Sequence, residues 1–175
     1  MRKPVLLALV LLLALPAVGT AALMRRAGDG TLSVDSGSGK VTLEARGGVI
    51  GRFDRGLVTI TDLTPDDQFS PIVFGDEFPT RVLENGGVVY RGTNVRFRLV
   101  GGRFKIFVSG SGIDLSAVGN GTVVLEGTGK SPGTYSLDGD DCRSPKVKCK
   151  PLPDPPKRFK LGTGIDLEKN AQRTG

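Results

Sequence analysis

A chain of 175 residues with 26 glycines, eight phenylalanines, two tyrosines and no tryptophan has the length for about one domain and the composition for short strands and tight turns. It contains no histidine, which excludes Ser–His and Cys–His nucleophile systems, histidine general bases and the commonest metal ligand together. The net charge of +6 is unevenly placed: residues 28–137 hold eleven basic and twelve acidic groups, while residues 143–175 hold nine basic against three acidic.

At the N-terminus Arg2 and Lys3 precede an apolar run over residues 5–15, followed by Pro16 and the small residues 17–22. A charged start, a short apolar stretch and small residues before the cut are what export and signal peptidase require, so residues 1–22 read as a signal peptide cleaved after Ala21 or Ala22. The alternative is an uncleaved membrane anchor. No charge occurs from Pro4 to Met24, and that many helical residues span roughly 30 Å before Arg25 and Arg26 stop the segment. Either reading makes the domain secreted or extracytoplasmic.

Residues 28–137 read as an all-β domain. Strand candidates are 31–35, 40–45, 49–53 and 57–62, each bounded by glycine or a Ser/Gly turn at spacings near eight or nine residues. An offset of sixty-five residues lays the block 31–61 over 96–126 without a gap: Leu32, Val34, Val41 and Leu43 fall on Phe97, Leu99, Ile106 and Val108, and Lys40, Gly47, Gly56 and Val58 meet identical residues. The pattern predicts two duplicated four-stranded units. Between them, residues 64–81 carry three prolines and four acids and read as a long loop in which Phe69, Phe74 and Phe78 cap the domain or contact a ligand. Asn85-Gly86 then marks a type I′ hairpin.

The strongest local signal is residues 94–108, two alternating stretches joined by Gly101-Gly102. It predicts a hairpin with Leu99 facing Phe104 and Phe97 facing Ile106. Alternation sends Val95, Phe97, Leu99, Phe104, Ile106 and Val108 to the core and leaves Arg96, Arg98, Arg103 and Lys105 together on the opposite face, a candidate anion-binding site. The acidic clusters Asp66-Asp67, Asp76-Glu77 and Asp138-Gly139-Asp140-Asp141 have the oxygen chemistry of a calcium site or a glycosidase pair but not the spacing of either, and read as turn formers and solvated charge. No catalytic residue, metal ligand or cofactor site is assigned.

Residues 138–175 are basic and contain five prolines between 145 and 156, a composition that predicts a disordered arm able to hold anionic envelope polysaccharide or a membrane surface. Nucleic acid is not expected. Cys142 and Cys149 are the only cysteines, and an exported chain would oxidise them to a disulfide.

The cadence GTLSVDSGSGKVTLEARGGVIGRFDRGLVTITD resembles secreted, adhesin-like glycine-rich β-repeat proteins of the bacterial envelope. The resemblance implies no catalytic residues. The resulting expectation is an antiparallel β-sandwich built from hairpins, with a short β-solenoid or barrel as alternative. It would act as a non-enzymatic binding or structural module of the cell envelope or extracellular space, able to bind an anionic polymer. A carbohydrate-active enzyme using paired carboxylates and a membrane-tethered accessory protein are the functional alternatives.

Overall fold

The computed structural model describes residues 28–65, 70–76 and 80–163. Residues 1–27, with the segment expected to be a signal peptide or anchor, and Asp66, Asp67, Phe69, Glu77, Phe78 and the chain beyond Thr163 lie outside the described residues. The described chain is all-β and antiparallel, without helix: β1 (Gly30–Asp62), β2 (Ile72–Asp76), β3 (Thr80–Val82), β4 (Val88–Gly127), β5 (Thr134–Ser136), β6 (Lys150–Pro151) and β7 (Lys157–Leu161). The sheet runs from β2 to β6, with β3 and β7 also paired to β4, and is not closed into a barrel.

The four strands expected before residue 62 are segments of one 33-residue strand, and the second block lies within a 40-residue strand. β1 and β4 form a single long antiparallel ribbon whose pairs run from Ile60–Val88 near the connecting loop out to Gly30–Gly119. The ribbon winds back on itself, so that much of β1 pairs with β4 on both edges: Lys40 faces Ser109 on one side and Glu126 on the other, and Val49 faces Leu99 and Ala117.

Every second residue of this ribbon points inward. Val41, Leu43, Val49, Phe53, Val58, Ile106, Val108, Ile113 and Leu125 are buried in one core, each aliphatic or aromatic side chain contributing about 1.5–3 kcal/mol of transfer free energy. One sheet can bury its whole inner face only by folding over, and it does so at glycines. Segments 30–38, 48–55, 93–100 and 111–118, with β2 and β5, form layer one; segments 40–46, 57–62, 88–91, 103–109 and 120–127, with β3 and β7, form layer two.

The hairpin expected at Gly101-Gly102 is corrected. Both glycines have positive φ, 89° and 71°, yet the chain keeps its course through them as a corner between layers. Phe97 faces Gly51 and Leu99 faces Val49, while Phe104 faces Ala45 and Ile106 faces Leu43 and Ile60. The six predicted core residues are all buried, because alternation depends on the local pleat and not on the partner.

Three further expectations change. The loop at 64–81 contains β2 and β3, which continue layer one and layer two beyond β4. The turn at Asn85-Gly86 exists, but as a longer loop in which Gly86 takes φ 77° and Asn85 Oδ1 accepts the Gly87 N–H. The basic arm is folded as far as Thr163: β5 pairs with β6, β7 pairs with β4, and Leu152 and Leu161 enter the core. Pro145 sits in the turn between the two cysteines, Pro151 at the end of β6, and Pro153, Pro155 and Pro156 in the connection before β7, positions that need no ladder N–H.

Candidate functional site

The outer face of layer two collects basic side chains from five segments that are distant in sequence. Reading across the strands, one row runs Lys160, Thr122, Glu44, Lys105, Thr61; the next Arg158, Val124, Thr42, Phe107, Thr59, Val89, Arg81; and others carry Glu126, Lys40 and Arg91, or Arg46 beside Arg103. These strands bring eight cations to the face, Lys40, Arg46, Arg81, Arg91, Arg103, Lys105, Arg158 and Lys160, against Glu44 and Glu126. Lys40 is held by Glu126 at 3.0 Å. Rows lie about 7 Å apart and strands about 4.8 Å apart, which makes a flat lattice of charge. Arg46 opposite Arg103 is a directly opposed like-charge pair, an arrangement that disfavours strand pairing.

Layer one presents the opposite kind of surface. Its outer face holds a groove of about 720 Å³ between β2 and the segment 139–143. One row across its floor is Ile72, Arg98, Ile50, Ser116, Ser33, and the next is Phe74, Arg96, Arg52, Asp114. Arg52 is tied to Asp114 through Nε at 2.7 Å, and the same carboxylate accepts the Ser36 backbone N–H at 2.8 Å. Arg143 is tied to Asp141 at 3.1 Å; the Arg143 backbone N–H, followed by its guanidinium, holds the Asp141 carboxyl below its usual range. Arg96 and Arg98 have no ion pair or hydrogen-bonded side-chain partner among the described residues. The groove's four arginines are matched by Asp35, Asp114, Asp140 and Asp141, so it is electrically balanced overall.

The four cations singled out in the sequence are therefore divided. Arg103 and Lys105 stand on the basic face and Arg96 and Arg98 in the groove, because the corner at Gly101-Gly102 carries the strand from one layer to the other. Sequence reading missed Lys40, Arg46, Arg81, Arg91, Arg158 and Lys160 as their companions, since only the pairing of β4 with β1, β3 and β7 brings them together. Among the described carboxylates no metal-ligand cluster forms. Asp140 accepts from Ser136 Oγ and Asp76 from Asn94 Nδ2, as turn and edge ties. Asn120 lies within β4 with its amide 2.5 Å from Asp29 Oδ1. Phe74 is not a cap; it is 67% exposed at the groove's rim. Cys142 and Cys149 form the expected disulfide, closing the segment that walls the groove's far end.

No family model, curated protein or solved structure matches the chain. The functional reading rests on the two outer faces.

Proposed function

We propose that this chain is an exported, non-enzymatic binding module that holds an anionic polymer of the cell envelope or extracellular space on the outer face of layer two. The carrying observation is the concentration of eight cations against two acids on that flat face, while the outer face of layer one is balanced. A broad lattice of exposed cations suits an extended, repeating polyanion, which gains many weak, salt-screened contacts at once. The signal-like N-terminus and the resemblance to secreted glycine-rich β-repeat proteins support an extracytoplasmic setting. The folded part of the basic C-terminal region contributes to the same face through Arg158 and Lys160.

Retention on immobilised polygalacturonate tests the reading. The chain is expected to bind and to elute with salt, and the triple variant Arg46→Ser, Arg103→Ser, Lys105→Ser to elute at clearly lower ionic strength with an unchanged far-UV spectrum. Elution of the variant with its parent would show that the face is only solvated scaffold, and stronger retention on duplex DNA than on the uronate polymer would redirect the reading to nucleic acid.

A further inference from the structure

The groove on layer one does not suit the polymer proposed for the other face. A repeating polyanion laid along it would pass from Arg96 and Arg98 to Asp35, Asp140 and Asp141 and meet repulsion over the second half of its course. A ligand charged at one end only would not. The only arginines in the groove free of an ion pair among the described residues, Arg96 and Arg98, lie two residues apart on one strand, so their side chains leave the sheet on the same side about 7 Å apart.

Apolar side chains adjoin both. Arg98 stands between Ile72 and Ile50, which are 48% and 41% exposed, and Arg96 stands between Phe74 on β2 and Arg52, whose own charge is held by Asp114. Large apolar groups left open around unpaired guanidiniums are unusual for a solvated surface and common where a ligand covers them. Beyond Ile50 the floor turns to Ser116 and Ser33, which can solvate a polar end but offer no charge. From Arg98 to Ser33 is three inter-strand steps, about 14 Å.

We infer that the groove is a second binding site, for an anionic amphiphile: one phosphate or carboxylate held by Arg96 and Arg98, with an aliphatic body lying over Ile50, Ile72 and Phe74. Planar guanidiniums suit both head groups, since each presents paired donors to two oxygens. The site is separate from the basic face, so each can fail without the other.

Titration calorimetry on the full chain with decyl phosphate and with decanoate, both below micelle formation, tests the inference and separates the two head groups. Saturable binding at one site per chain is expected for at least one probe, with weaker binding of inorganic phosphate. Arg96→Gln with Arg98→Gln is expected to weaken binding more than tenfold, as is Ile72→Ser with Phe74→Ser, whereas Arg103→Ser with Lys105→Ser leaves it unchanged. All of these side chains are exposed, and if one groove pair fails to fold the other decides. Absence of saturable binding by both probes, equal binding of inorganic phosphate, equal binding of the uncharged amphiphile octyl glucoside, or full retention of affinity in a folded groove variant would overturn it.

Discussion

At Gly47 the backbone has φ 150°, and a Cβ there would run into the Val118 carbonyl oxygen and stand 2.7 Å from Gly119 Cα. The neighbour is main chain and cannot rotate aside. Gly47→Ala is therefore expected to cost roughly 2–4 kcal/mol, read as a lower urea midpoint, while the same change at Gly86, where a Cβ meets nothing within 4 Å, costs only the strain of its positive φ. Equal losses at the two sites would refute the close approach of the strands. The tyrosines give a pH dependence. Burial raises the phenols of Tyr135 and Tyr90 above their ordinary value of 10.0, so the folded chain keeps protons that the unfolded chain releases there. Their contribution is complete below about pH 10 and is lost as pH climbs through the raised values. Spectrophotometric titration near 295 nm should show both phenols ionising later in the native protein than in urea; coincident curves would contradict their burial.

At the level of elements, the alternation in β1 and β4 was legible because period two survives whatever strand lies alongside, which is why Phe97, Leu99, Phe104 and Ile106 read correctly as core. Partner and register were not legible. A glycine with positive φ serves equally in a reversal and in a corner, and Gly101-Gly102 offers no local feature that separates the two. A weak signal was present in the even spacing of Gly39, Gly47 and Gly56 and of Gly92, Gly101, Gly110, Gly119 and Gly127, since a wound ribbon needs corners at equal intervals. The candidate sites were hidden for the same reason: a face assembled from β1, β3, β4 and β7 cannot be read from any one of them. The proline-rich region misled because β5, β6 and β7 are too short to show a pattern. Its disulfide spans a small ring, for which the chain-entropy estimate is about 2.5 kcal/mol. Reduction is expected to speed amide exchange in residues 138–150 while β1 and β4 stay protected; collapse of protection throughout would mean that the bridge holds the whole fold.

Across the whole molecule, charge is sorted by layer: the basic side chains of layer two leave one broad surface strongly positive, and the ion pairs of layer one leave the other balanced. Such a molecule approaches a negatively charged surface in one orientation, with its groove turned away and open to solution. The wound ribbon also has a kinetic consequence. Residues in β1 find their partners at sequence separations that grow from Ile60–Val88 to Gly30–Gly119, and a β1 residue paired on both edges has its second partner farther along the chain than its first, as Lys40 does with Ser109 and Glu126. Loop entropy makes the pairs beside residues 63–87 the cheapest to form first, so zippering should begin there and travel toward the two ends of the ribbon. A chain dominated by such distant contacts belongs among the slow folders, on the order of milliseconds to seconds, and by the same rule its last act is to close β5 against the start of β1, from Ser33–Ser136 to Asp35–Thr134, the most distant strand pairs of all.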